Sequence, residues 1–178
     1  MGFRESDDAE YDHAEKLNPF IEELLKEQQI SPKDLKAVAV SEGPGSYTGL
    51  RIGVSSAKGL CYAVGIPLIT VSPFQAMLSM SGVDIDSGKK LFPMLDARRR
   101  EVFAQSFSRD RVDKVEAIIF EEDDTRFSDA SLHFMGPGAD KFAEEFKAAN
   151  YTPNIYPSAK HMGHIAQVKF NAAEFADL

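Results

Sequence analysis

The chain has 178 residues, 43% hydrophobic and 27% charged, with a formal net charge of −8, which is ordinary globular composition with enough length to bury a core. So acidic a chain is a poor candidate for tight tRNA or DNA binding on its own, and no apolar run approaches a membrane span. The start, MGFRESDDAEYDHAEK, is too polar for a signal peptide and Cys61 stands alone, so an internal disulfide is excluded, a cysteine metal cage is disfavoured, and a soluble cytoplasmic protein without membrane contact is expected.

The first predicted element is a helix over DHAEKLNPFIEELLKEQQ. Leu17, Phe20, Ile21, Leu24 and Leu25 fall three and four apart and share one face. Asp12 and Glu15 have capping-box spacing, and Pro19 either kinks the first turns or resets the start at Asn18. After the break ISPKDL, KAVAVS reads as a buried strand. A glycine-rich helix to about Val64 and the strand GIPLITVS follow, a right-handed crossover that makes the two strands parallel. PFQAMLSMS is a short helix. The polar stretch GVDIDSGKK marks the expected boundary between two α/β subdomains, residues 1–82 and 83–178.

In the second half, Leu91–Leu95 and Val102–Phe107 flank a charged turn in a hairpin pattern. Asp96, Arg98 and Glu101 are expected to stabilise that turn, and Arg98-Arg99-Arg100 reads as solvated. VEAIIF adds a third strand and LHFMG a short one. ADKFAEEFKAAN has the pattern of an amphipathic helix, and SAKHMGHIAQVKF that of a last helix with Met162, Ile165, Ala166 and Phe170 inward.

The stretch SEGPGSYTGLRIGVSSAKGL concentrates glycines where a strand runs into a helix. Gly43, Pro44, Gly45 and Ser46 form the loop. A Walker loop needs Lys and Ser or Thr after its last glycine, whereas Leu50 and Arg51 follow Gly49. The spacing also misses the Rossmann fingerprint and the nucleophile elbow. An anion at the helix N-terminus stays open on dipole grounds. The packing alternative is that Gly49, Gly53 and Ala57, four apart and widened by Ser56, seat a second helix, either the chain's own first one or a partner's. Leu50, Val54, Cys61 and Val64 would then face the sheet. Arg51, beside the stripe, contacts a partner or closes an internal salt bridge.

Other candidates are weaker. His161 and His164, three apart on the last helix, have no third ligand in view, and His13 reads as part of a cap or partner surface. No metal site and no cofactor are expected.

SEGPGSYTGLRIGVSSAKGL with GIPLITVS, followed by PMLDARRREVF, closely resembles the TsaB (YeaZ) family of tRNA threonylcarbamoyladenosine biosynthesis proteins, also filed as peptidase M22 or glycoprotease-like. DHAEKLNPFIEELL resembles the family's first helix, so the likeness runs from about Asp12 to Phe107 and is looser beyond. It implies an actin-like (ASKHA, ribonuclease-H-like) fold. It also implies a non-catalytic partner of the paralogue TsaD, which transfers threonylcarbamoyl to the adenosine beside the tRNA anticodon, with the ATPase TsaE completing the assembly. The family's first two helices form a bundle with TsaD or with a second TsaB, which nominates Leu17, Phe20, Leu24, Gly49, Arg51, Gly53 and Ala57 as partner-binding. Where the paralogue carries an H-x-E-x-H metal motif, this chain reads ITVSPFQAML, and Ser72, Pro73, Phe74 and Gln75 supply no metal ligand. The family's opening strand hairpin, with its Asp-Thr-Ser-like turn, and its Pro-x-Tyr-Leu-Arg-like tail have no counterpart, so a chain incomplete at both ends is expected.

Two other functions compete with the scaffold reading. An ASKHA small-molecule kinase needs a phosphate turn on its first strand and a second glycine pair, of which Gly136 and Gly138 in GPGADKF are a thin echo. An M22-type metalloprotease needs a metal triad that these residues do not assemble.

Overall fold

The computed structural model describes residues 2–6, 13–85, 88–121, 124–145 and 150–178. The chain divides into two units. Met1–Ser72 joins Met162–Leu178 in the first, and Pro73–His161 forms the second. The division differs from the expected one at 82/83 in two ways. The short helix α3 (Pro73–Ser81) groups with the second unit, because its Phe74 and Met77 are buried with Leu91, Leu95, Phe107 and Met135. Residues 162–178 return to the first unit, because Met162, Ile165, Ala166 and Phe170 of the last helix pack with Ile69 and Val71.

In the first unit, α1 (His13–Glu27) contains Pro19 within it, so the proline does not reset the helix start at Asn18; Asp12 lies outside the described residues. Ser31 and Asp34 cap a short 3-10 turn, Pro32–Asp34. Strands β1 (Val38–Ser41) and β2 (Leu68–Val71) pair in parallel, Val38 opposite Leu68 and Ser41 opposite Val71, and α2 (Tyr47–Val64) crosses between them as expected. Alternation along β2 serves two layers. Leu68 packs with Ala57 and Cys61 of α2, while Ile69 and Val71 pack under α5 (Ala159–Asn171). The outer edge of β2 is closed by the tail: the Ala176 N–H donates to Leu68 O at 2.9 Å, and the Lys169 ammonium donates to Thr70 O at 2.8 Å.

The second unit is built around β3 (Lys90–Asp96). On one side β4 (Glu101–Ala104) and then β7 (Glu116–Ile119) pair antiparallel; on the other β8 (Leu132–Met135) and then β9 (Asn150–Thr152) pair parallel. The expected strand Val102–Phe107 is two pieces, β4 and β5 (Phe107–Ser108), in one register against β3. The break falls where Gln105 faces Pro93. Gln105 N–H reaches Pro93 O at 3.4 Å, but proline has no N–H to return the bond. β5 turns into β6 (Arg111–Val112).

The helix expected over 139–150 is also not formed as read. α4 spans only Pro137–Asp140 and passes into three-residue turns, Phe142 N–H to Ala139 O and Glu145 N–H to Phe142 O. Phe142 is held against Phe120, ring centroids 4.4 Å apart, and Asn150 opens β9; residues 146–149 lie outside the described residues. In the hairpin turn, Asp96 accepts the Arg98 N–H at 2.9 Å and the Lys141 ammonium at 2.7 Å. Arg98 and Glu101 act there through their backbones, Glu101 N–H to Arg98 O at 3.0 Å. Arg100 is not merely solvated: it donates to Phe120 O at 2.8 Å and pairs with Glu145.

Candidate partner-binding surface

The glycine loop leaves β1 with Glu42 N–H bonded to Val71 O. Gly43 then takes φ +86°, and a Cβ there would sit 2.9 Å from Leu50 Cδ1. The loop thus folds back onto the helix it precedes, through a backbone conformation that favours glycine. Gly43–Pro44 is a cis peptide. Ser46 caps α2, its hydroxyl accepting the Gly49 N–H at 3.3 Å. Gly45 lies 4.0 Å from Leu50 by the same construction. Pro44 and Leu50 are half-buried, so the loop and its helix form one packed turn.

The small-residue stripe points the other way from the expected one. A Cβ on Gly53 would meet Val40 Cγ2 of β1 at 3.8 Å, and Ala57 is buried with Cys61, Leu68, Val38 and Val40. Gly53 and Ala57 therefore seat α2 on the chain's own two-stranded sheet. Cys61 lies on that same face, as expected, and the exposed face of α2 is on the far side of the helix. The reason is geometric. Four-residue spacing identifies a close-approach face but not whether a helix or a sheet approaches it.

The solvent side of α2 carries Tyr47, Arg51, Ser55, Lys58 and Tyr62, spaced four, four, three and four and hence on one face. Tyr47 is 75% exposed and Tyr62 85%. Arg51 lies over the Tyr47 ring, 5.4 Å from its centroid, and donates to the Tyr47 hydroxyl at 3.4 Å. Gly59 lies on the exposed side, where an added Cβ would meet nothing within 4 Å. Tyr47 and Tyr62, with Gly59 about one turn before Tyr62, make an exposed, partly apolar surface. Sequence reasoning singles out Arg51 of this exposed face but not Tyr47, Gly59 or Tyr62, although their helical spacing is there to be read.

Helix α1 packs on α2. Leu17, Phe20 and Leu24 are half-buried. Leu24 is also covered in part by the N-terminal segment: Gly2 approaches Leu24 and Gln28, and Arg4 pairs with Glu23 at 3.6 Å and with Glu27.

Ser72, Pro73 and Phe74 are buried and Gln75 half-buried. His161 is half-buried and His164 exposed on α5. Among the described residues no group of three or more His, Cys, Asp or Glu is placed to hold a metal ion, and no helix is long and apolar enough to cross a membrane. Gly136 and Gly138 do not line an open pocket floor. Cβ atoms there would collide with the backbone of Met94 and Leu95, so this glycine pair lets α4 lie against β3.

A protein-family model described as tRNA N6-adenosine threonylcarbamoyltransferase (TsaD) matches residues 7–174. The tRNA threonylcarbamoyladenosine biosynthesis protein TsaB of Bacillus subtilis (strain 168) is 38% identical over 91 residues, 51% of this chain and 38% of that protein. The TsaB protein of Haemophilus influenzae is 30% identical over 104 residues, 58% of this chain and 44% of that protein. The chain therefore spans less than half the length of these curated relatives. The solved structure of YeaZ from Pseudomonas aeruginosa superposes with a TM-score of 0.74 at 21% identity, covering 93% of this chain and 81% of that one. That likeness shows the fold, actin-like α/β.

Proposed function

Because the chain belongs to the threonylcarbamoyltransferase-like family that includes the TsaB (YeaZ) proteins, we propose that it is a non-catalytic subunit in the formation of threonylcarbamoyladenosine in tRNA. It docks a TsaD-like paralogue, in an assembly completed by a TsaE-like ATPase, and contributes no reacting group of its own. The observation that carries this reading is the solvent face of α2, where Tyr47, Arg51 and Tyr62 stand exposed on a rigid eighteen-residue helix. Exposed tyrosines and arginines on a flat face are the residue types that dominate association energies. The absence of imidazole or carboxylate from Ser72–Gln75 supports the non-catalytic part.

The sheet-facing side of α2 gives that surface its rigidity. Ala57 and Cys61 are locked against Leu68 and Val40, so the tyrosines are presented by an anchored helix rather than a loop, which lowers the entropy lost on docking. A second copy of the chain is the competing occupant of the same face.

The test is co-purification of the chain with the TsaD-like paralogue from the same genome, using Tyr62→Asp. Loss of about tenfold or more in affinity is expected for a central aromatic contact. Unchanged capture of the paralogue by Tyr62→Asp and by Arg51→Glu removes α2 from the interface, and capture of neither protein by the other removes the function.

A further inference from the structure

One face of the second unit's sheet carries a cavity of about 470 Å3 that shares no residue with the exposed face of α2. Its floor is Phe92 of β3, Ala104 of β4 and Ile118 of β7, and Phe127 stands as one wall. The rings of Phe92 and Phe127 meet edge to face, centroids 6.3 Å apart at 82°. A second cavity of about 340 Å3 shares the side chain of Lys90. Both volumes fall in the range of small-molecule sites, about 300–1,000 Å3.

Lys90 is common to the two cavities, and further lysines and arginines line each of them. Lys89, Lys90, Arg109, Arg111 and Lys114 line one or the other, against Asp110, Asp113 and Glu116. This surplus of positive charge stands out in a chain of net charge −8. Asp113 organises the ridge rather than cancelling it. Its carboxylate accepts the Ser106 hydroxyl, lies 3.4 Å from the Lys90 ammonium and pairs with Arg111. The Lys90 ammonium also lies over the Phe92 ring, 5.2 Å from its centroid. The opposite wall is fixed independently: Arg126 is bound by Asp124 and donates to Ile119 O at 2.9 Å.

An aromatic floor next to a cationic ridge suits a flat base joined to a multiply charged anion. A phosphate, with three terminal oxygens, can engage several of these cations at once. From this we infer that the cavity is a nucleotide site, with the base against the Phe92 and Phe127 side chains and the phosphate against Lys90, Arg111 and Lys114. The nucleotide's source is either free mononucleotide or one residue of an RNA strand, since both present the same chemistry. The ridge is small, so binding is weak, in keeping with an acidic chain that does not hold tRNA tightly by itself.

The test uses the intact chain at low salt, titrated with AMP, with ribose 5-phosphate and with a single-stranded tetraribonucleotide, followed by calorimetry or NMR. AMP should bind with a millimolar-range Kd, at least about fivefold better than ribose 5-phosphate, and Lys90→Glu with Lys114→Glu should weaken it about tenfold or more. The charge-matched pair Lys33→Glu with Lys160→Glu, on exposed residues that line neither cavity, should leave it unchanged. A tetranucleotide that binds about tenfold tighter than AMP identifies RNA as the source, and equal affinity identifies the free nucleotide. The proposal is overturned if neither AMP nor the tetranucleotide binds up to about 10 mM. It is equally overturned if ribose 5-phosphate matches AMP or if the ridge variant binds as wild type does. A thermal melt checks the fold of the double variant, and Lys114→Glu alone replaces it if the double variant is unfolded.

Discussion

Each unit carries a Gly-Pro-Gly where a parallel strand runs into a helix: Gly43-Pro44-Gly45 lies between β1 and α2, and Gly136-Pro137-Gly138 follows β8, its Pro137 and Gly138 opening α4. The tripeptides are identical and their roles differ. At Gly43 the nearest obstacle to a Cβ is a methyl of Leu50, the far end of a flexible side chain. At Gly136 it is the main chain of Met94, with Met77 Sδ at 2.9 Å, and at Gly138 the main chain of Leu95 at 2.8 Å. The first pair shapes a turn, while the second lets two backbones touch inside a core. A short glycine motif is thus uninformative about ligands until the atoms opposite its missing side chains are known.

The contrast sets an order of expected effects. Gly136→Ala should be the most damaging change. Gly136 adopts φ 96° and ψ 168°, a region essentially restricted to glycine. Strain there and collision with strand backbone together should cost about 3 kcal/mol or more, read as a large fall in melting temperature or loss of soluble protein. Gly43→Ala also faces a positive φ, but Leu50 can shift, so about 1–2 kcal/mol is expected by denaturant titration. Equal losses at the two positions would erase the distinction between them.

A smaller effect separates the units by pH. His133 of β8 is 7% exposed; its Nε2 lies 2.7 Å from the Thr152 hydroxyl, and its Nδ1 is buried without a hydrogen-bond partner. Burial, aided by the charge of Lys89, pushes its pKa below the ordinary 6.5. The unfolded chain therefore takes up this proton at higher pH than the folded one, so stability is full above about 6.5 and declines as pH falls below it. The first unit buries no histidine among its described residues. Hydrogen exchange at pH 5 against pH 7.5 should show the second unit losing protection first, and His133→Gln should flatten that difference. Equal loss in both units would remove His133 as the cause.

Much of this arrangement is legible in the sequence. The β1–α2–β2 crossover is marked by apolar runs and a glycine-rich helix between them, and the inward face of α5 by Met162, Ile165, Ala166 and Phe170. The features that escape sequence reading depend on partners distant in the chain. The break at Gln105 requires Pro93 across the hairpin, and the fate of 139–150 depends on Phe142 meeting Phe120. The cationic ridge is invisible in the sequence because Lys89 and Lys90 are brought beside Arg109 and Arg111 only by the β3–β5–β6 register. The basic run that the sequence does display, Arg98-Arg99-Arg100, is elsewhere, and its Arg100 is bound internally. The stripe through Gly53 is a close-approach face, as its spacing indicates, but it faces Val40 of the sheet rather than a helix.

The smallest expected effect on stability is therefore that of Gly53→Ala. A methyl there meets Val40 at an ordinary 3.8 Å, and Ala replaces Gly inside a helix, so Gly53→Ala should stabilise by up to about 1 kcal/mol. Gly53→Leu, which must displace Val40, should instead cost about 1–3 kcal/mol through overpacking.

The most direct test of the central claim is a side-by-side titration of the TsaD-like paralogue with Tyr62→Asp and Gly53→Ala. If the exposed face of α2 is the docking surface, Tyr62→Asp weakens association about tenfold or more while Gly53→Ala binds as wild type does. If Gly53→Ala abolishes association and Tyr62→Asp leaves it intact, the small-residue stripe is the interface and the tyrosine face is not.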